Sequence, residues 1–260
     1  MSEPRWTVVI AYYNEAAFLG DTLASLAAQT LRPFRLVLVD NGSTDGSADL
    51  ARAATAAMTG VEAIHLSETR PGKIFALETA NPHITTEFVA FADADTFYPP
   101  HYLAAADAAY RDPAVVAAMA TRVTVPIERA SMKVKRAHTQ LVSRIWPKQT
   151  HVGGYGQTFR TAAYRAAGGY SHAQWPYVLM DHEIMERMVR QGRAVYPYDL
   201  WCSPSTRRAD RRRVRWTLSE RLLYHFSPAR AKGWFFYRFL GPRLDRRRQG
   251  HLNLRERNWK

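Results

Sequence analysis

At 260 residues and 47% hydrophobic content the chain can bury one large α/β core, with or without an appendage. Its single cysteine, Cys202, excludes an internal disulfide and every cysteine-rich zinc site, and fits a reducing compartment. The formal charge of +13 is local: residues 207–260 hold 17 of the 36 basic side chains and 4 of the 23 acidic ones, so the preceding body is neutral.

No window approaches the roughly 18 uncharged apolar residues of a membrane span, and the first six residues carry no basic or apolar leader pattern. Trp6 to Ala11 is a continuous β-branched run, the mark of a strand covered on both faces. It ends at Tyr12-Tyr13-Asn14-Glu15, and a helical pattern of Phe18, Leu19, Leu23 and Leu26 follows. A second strand, Leu36 to Val39, delivers Asp40; the small polar turn after it caps a helix from Ala48 to Met58. A third strand, Val61 to Leu66, leads through Gly72-Lys73 into a helix over Ile74–Ala80.

The fourth strand, Phe88 to Phe91, ends in Asp93-Ala94-Asp95, with two prolines behind it. Carboxylates are the hard donors that Mg²⁺ or Mn²⁺ prefers, and such ions combine one or two of them with substrate phosphates. On the pair alone, a metal site and a solvated turn are equally good readings. Three strand–helix repeats predict a parallel sheet with right-handed crossovers, whose ligands sit outside the carboxyl ends of the strands. Tyr12, Glu15, Asp40, Lys73, Asp93 and Asp95 all fall at such ends, which favours a site.

The second half is less regular. Helices are predicted over His101–Tyr110, Arg129–Ile145 and Thr161–Ala167, with strands over Val115–Val125 and Gln157–Arg160. Lys133, Lys135 and Arg136 are read as a solvated helix face. A last helix opens around Met180-Asp181-His182-Glu183, where Asp181 taken alone reads as a cap stabilised by unpaired N–H groups.

Together these segments resemble the family 2 glycosyltransferases of the GT-A fold. The resemblance rests on Val8–Glu15, Val39–Ser47, Gly72-Lys73 with Ala76-Leu77, Phe91–Asp95, Gly168-Gly169-Tyr170, Asp181-His182-Glu183 with Arg187, and Ser205–Arg208. It covers residues 6–216 in the family's order. It implies a Rossmann-like nucleotide-binding sheet with helices on both faces, a donor half over 1–98, an acceptor half over 99–216, and a basic helical extension over 217–260. The activity implied is inverting transfer of a sugar from a nucleotide diphosphate, UDP first, to a lipid-linked or glycan hydroxyl.

By the same resemblance Ala11, Tyr12, Glu15, Asp40, Lys73, Asp93 and Ala94 hold the nucleotide. Asp95, with Asp93, holds Mn²⁺ or Mg²⁺, and Asp181 is the base. Arg207 and Arg208 lie over the diphosphate; Gly154, Tyr155, Trp175, Met180 and His182 face the acceptor. The chain departs from the family in carrying Met180 where an acidic residue usually precedes the base. Arg212 to Trp216 keeps Arg-x-Arg-Trp of the processive pattern but has arginine for the leading glutamine; without membrane spans to thread a growing polymer, a single addition is expected.

In the tail, Thr217 to Glu220 has capping-box spacing, and Leu218, Leu222, Leu223 and Phe226 form an apolar stripe. Trp234 to Phe239, flanked by arginines, is expected to lie in an anionic headgroup region or to pack on the body. Peripheral attachment at the cytoplasmic face of the membrane follows from the first reading. Nucleic acid is not expected, because no recognition fold accompanies the charge. Two other classes are alternatives: a nucleotidyltransferase, which wants a basic glycine-rich loop after the first strand, and a non-enzymatic lipid or nucleic-acid binding module.

Overall fold

The structure is a computed structural model that describes residues 3–123, 129–146, 150–205 and 216–250. Its first half runs β1 (Trp6–Tyr12), α1 (Ala16–Ala27), β2 (Phe34–Asp40), α2 (Ser47–Ala56), β3 (Val61–Ser67), α3 (Lys73–Ala80) and β4 (Phe88–Asp93). After these come β5 (Thr96–Phe97), α4 (Tyr102–Ala109), β6 (Val115–Met119), β7 (Thr121–Arg122), α5 (Arg129–Ile145), β8 (Gly156–Arg160) and α6 (Thr161–Ala166). The chain closes with α7 (Met180–Met188), β9 (Arg193–Val195), β10 (Trp201–Pro204), α8 (Leu218–Phe226), α9 (Lys232–Trp234), a π-helical turn (Phe235–Leu240) and α10 (Gly241–Arg246).

The main sheet has seven strands in the order β3-β2-β1-β4-β8-β6-β9. β1 to β4 are mutually parallel, as the sequence predicted, whereas β8 runs antiparallel to both of its neighbours. Strand alternation divides the core. Val8, Ile10, Leu36, Leu38 and Ala90 pack with α1, α2 and α4 on one face. Val9, Val37, Val39, Val89 and Phe91 pack with α3, α6 and α7 on the other. Both faces are therefore dry, which is why these strands read as unbroken apolar runs.

The single strand expected over Val115–Val125 is two, and residues 124–125 lie outside the described range. The Ala120 N–H still bonds to Gly156, but Thr121 and Val123 bond to Leu200 and Cys202, so the chain changes partner and enters a second sheet, β5-β10-β7. Arg136 is also a correction. It is buried, with its guanidinium 4.6 Å from the Tyr198 ring centroid and 5.9 Å from that of Trp201, rather than on a solvated face. Rings from distant segments supply the stacking surface that periodicity could not anticipate.

The tail forms a third cluster. Phe235, Phe236, Leu240 and Leu244 pack with Tyr224 against Trp175 and Val178 of the body. Most of the aromatic segment is thus used in packing, the second of the two readings above. Among the described residues no helix is long and apolar enough to cross a membrane.

Candidate active site

Register places the predicted donor-side residues on one rim. Tyr12 is opposite Asp40 across β1–β2, and Ala11 is opposite Asp93 across β1–β4. Two strand spacings put the Asp40 and Asp93 backbones about 10 Å apart. Asp40 accepts from the Ser43 N–H at 2.9 Å, which folds the following turn. Tyr12 is buried at the strand end, and burial first, then the Asp40 charge, pushes its hydroxyl up to about 12. Glu15 is buried at the start of α1, with its N–H on the Ser47 hydroxyl at 2.8 Å.

Lys73 opens α3 and reaches the Asp93 carboxylate in an ion pair. The Asp93 N–H donates to the Tyr98 hydroxyl at 2.8 Å, and that hydroxyl donates to the Tyr155 carbonyl at 2.7 Å. This buried tyrosine ties the end of β4 to the loop before β8. Ala94 is buried, and its carbonyl accepts from Thr22 Oγ1 at 2.9 Å. Asp95 is held from the other side: Ser205 Oγ donates to its Oδ2 at 3.0 Å, and the Ser205 N–H to its carbonyl at 2.9 Å.

Asp181 approaches from the opposite half. Helix α7 begins at Met180 after Leu179, which holds φ at 65°, and no side chain caps it. Asp181 therefore lies inside the first turn and is not the plain cap of the residue-level reading. Its carbonyl accepts from Gln157 Nε2 at 3.0 Å, and Gln157 pairs with Phe91 of β4, two residues before Asp93. Its side chain lies against Gly153 and Gly154: a Cβ on Gly154 would stand 2.8 Å from that of Asp181. The buried Tyr170 hydroxyl is raised by burial first, then by Asp181, Tyr164 and Asp93, so both carboxylates bear on one group. Asp181 and Asp93 thus flank the same stretch of sheet.

The acceptor-side expectations divide. Gly154 and Tyr155 adjoin Asp181. Met180 is half-buried against the body core and the tail cluster, and the His182 ring lies edge-on to Trp216 at 5.2 Å and to Tyr224 at 5.9 Å. Trp175 is a correction: it is 1% exposed, with Nε1 on the Val178 carbonyl at 2.8 Å and its ring edge-on to Phe236, so it anchors the tail. Arg207 and Arg208 lie outside the described residues.

Two organising residues went unmarked in the sequence. Asn41 is buried and donates to the carbonyls of Glu68 (3.0 Å) and Arg70 (2.8 Å) while accepting from the Gly72 N–H at 2.8 Å. Glu68, also buried, accepts from Arg70 and Thr79, and the Arg70 guanidinium holds its carboxyl down at about 2. Together they shape the loop that delivers Lys73. A buried polar residue beside the motif aspartate is the signal that could have marked Asn41.

The donor chemistry fits a divalent ion. Asp93 and Asp95 offer two hard carboxylates one residue apart, a set completed in such sites by phosphate oxygens and water. Among the described residues no group of three or more His, Cys, Asp or Glu side chains comes together to hold a metal ion.

A mostly parallel sheet with carboxylates on its carboxyl rim and a second half folded over it is the GT-A arrangement of nucleotide-sugar transferases. The chain belongs to glycosyl transferase family 2, whose model matches residues 7–169. Among solved structures it is similar to a Pyrobaculum calidifontis mannosyltransferase in complex with GDP-Man and Mn²⁺ (TM-score 0.72, 23% identity, 90% of this chain and 70% of that one). It also resembles S. aureus TarS 1-349 in complex with UDP-GlcNAc (TM-score 0.61, 19% identity, 91% and 71% covered). At these identities the likeness is one of fold. An uncharacterized glycosyltransferase of Nostoc sp. is 34% identical over 108 residues, 37% of this chain and 30% of that protein. A Mycobacterium tuberculosis PGL/p-HBAD biosynthesis glycosyltransferase is 47% identical over 51 residues, 20% of each chain. The chain therefore matches less than a third of the length of these relatives.

Proposed function

We propose that the enzyme transfers one sugar, with inversion, from a nucleoside diphosphate donor to a hydroxyl of a lipid-linked or glycan acceptor, with Asp181 as the base. The observation that supports this reading is that Asp181, on the first turn of α7, and Asp93, at the sheet rim with Asp40 and Asp95, both bear on the buried Tyr170 hydroxyl. Tyr12, Glu15 and Asp40, with Ala11 and Ala94 as backbone walls, take the nucleoside, and Lys73 sets a positive charge beside the departing diphosphate. The acceptor oxygen attacks C1 on the face away from that leaving group, the C1–O bond to phosphate breaks, and the acceptor proton passes to the Asp181 carboxylate. One displacement with one base gives inversion. A divalent ion held by Asp95 and Asp93 supplies neutralisation of charge on the diphosphate when bound. UDP is the first candidate nucleotide, with GDP the alternative given the GDP-Man complex of the Pyrobaculum protein.

Peripheral attachment to the inner face of the membrane belongs to the same proposal, supported by the basic tail. The nucleotidyltransferase reading has no observation in its favour: Tyr12-Tyr13-Asn14-Glu15 is neither glycine-rich nor basic.

The test is a thermal-shift panel of nucleoside diphosphates and their sugars with Mn²⁺, followed by turnover of Asp181→Asn and Asp95→Ala. Asp181→Asn is expected to keep nucleotide stabilisation and lose about 10²–10⁴-fold in transfer. Asp95→Ala is expected to lose the Mn²⁺-dependent part of the stabilisation. Full transfer by Asp181→Asn would remove the base assignment.

A further inference from the structure

Two helices present apolar stripes to solvent. On α5, Arg136 and Thr139 face the body, and the opposite side carries Val134, Leu141 and Ile145 at 70%, 58% and 57% exposure. These positions are spaced i, i+7 and i+11, a single stripe on a helix. On α8, Glu220 and Tyr224 are buried, while Leu218, Leu222 and Phe226, spaced i, i+4 and i+8, are 72%, 49% and 77% exposed.

Hydrogen bonds link the end of α5 to the segment that touches α8. Trp146, just past the end of α5, accepts through its carbonyl from the His151 ring at 2.9 Å, and the neighbouring Thr150 N–H donates to the α8 Tyr224 hydroxyl at 3.2 Å. Their charge is of one sign. Helix α5 contains no acidic residue, and the one acid of α8, Glu220, is buried and paired with Arg247 at 2.7 Å. Lys133, Arg144 and Arg221 are exposed beside the stripes.

We propose that the outer faces of α5 and α8 together form the surface that seats this enzyme on an anionic lipid bilayer. Apolar side chains enter the acyl boundary and the flanking cations meet the headgroups. Trp234–Phe239, the segment the sequence favoured, is largely used in packing on the body. The inference deepens the glycosyl-transfer reading and rests on it in one respect. The inner face of α8 packs on His182, next to Asp181, so the bilayer would lie about one helix diameter, ~10 Å, from the base. An acceptor hydroxyl carried on a membrane lipid could reach Asp181 there without leaving the headgroup layer.

The test is flotation of the full chain with phosphatidylcholine vesicles, with and without phosphatidylglycerol. It compares wild type with Leu222→Asp/Phe226→Asp and with Leu141→Asp/Ile145→Asp. All four positions are solvent-exposed, so the thermal midpoint and the stabilisation by nucleoside diphosphate should be unchanged in both variants. Wild type is expected to float with the anionic vesicles. Each pair should lose roughly tenfold or more in vesicle affinity per side chain. Equal flotation of wild type and both variants overturns the proposal. So does loss of a wild-type oligomer in the variants without loss of flotation, which would make the face a contact between copies. Failure of nucleotide stabilisation in wild type would instead strike the glycosyl-transfer reading and leave the flotation result standing.

Discussion

Gly154→Ala isolates the placement of Asp181 from its chemistry. Gly154 does not adopt a left-handed backbone, so alanine is allowed there, and the only obstacle is the side chain it meets. The new Cβ would stand 2.8 Å from Asp181 Cβ and 3.4 Å from Cγ and Oδ2. Carbon atoms rest at about 3.5–4.0 Å, so the Asp181 side chain must retreat by about 1 Å. The direct cost is that of mild overpacking, about 1–3 kcal/mol of stability. The catalytic cost is larger, because a 1 Å misplacement of a reacting group can remove about 10²-fold in rate. Turnover should therefore fall about a hundredfold while the melting shift caused by nucleoside diphosphate and Mn²⁺ stays at the wild-type value. Gly20→Ala is the control. It lies in α1 with only Leu50 methyls near, at 3.9 Å, and should gain about 0.5–1 kcal/mol with turnover unchanged. Wild-type turnover in folded Gly154→Ala would refute the idea that Asp181 works from this position, and joint loss of nucleotide binding would mean that the glycine serves the donor instead.

Two further outcomes are expected. Tyr237 donates its hydroxyl to Glu183 of α7, so Tyr237→Phe should cost about 1 kcal/mol and lower kcat severalfold with the donor KM unchanged; a change in KM alone would contradict this. Glu68, held near 2 by Arg70 against an ordinary 4.5, contributes stability that is complete above about 4.5 and lost as pH falls through about 2. Because the Arg70 side chain is half-exposed, solvent screening makes that contribution much smaller than the shift alone implies. Urea midpoints of wild type and Glu68→Gln should differ at neutral pH and converge near pH 2, and parallel curves would exclude the coupling.

The donor half was legible because its information is local. A β-branched run covered on both faces fixes a strand, and the strand's end fixes which polar residue reaches the rim; Tyr12, Asp40 and Asp93 needed nothing more. The second half depends on partners far along the chain. Trp175 read as an acceptor aromatic because its cover, Phe236, lies 61 residues later. Arg136 read as solvated because its stacking rings come from Tyr198 and from Trp201, the first residue of β10. The Val115–Val125 run carries no turn residue, and only the change of partner after Ala120 breaks it. Tyr98 carries no motif, yet its hydroxyl joins the end of β4 to the loop beside Asp181; a phenol in an apolar turn has no local pattern that announces a hydrogen-bond relay.

The tail's packing changes how its own role must be tested. Glu183 is almost fully buried on α7, where Arg187 grips it with two bonds of 2.8 Å and Tyr237 adds a third. Lys232 is buried nearby over the Tyr224 ring, and burial lowers its ammonium to about 8. Buried ionic groups of this kind are weak sources of net stability, but leaving one unpartnered costs several kcal/mol. Their effect is to fix one register of the tail on the helix that bears Asp181. Deleting the segment from residue 230 would strip Phe235, Phe236, Leu240 and Leu244 from the third cluster and leave Glu183 without its tyrosine. Lost activity in such a deletion would then report a displaced α7 as readily as a lost membrane contact. Charge substitutions on the outer faces of α5 and α8 separate the two effects, because they leave every one of these inner contacts in place.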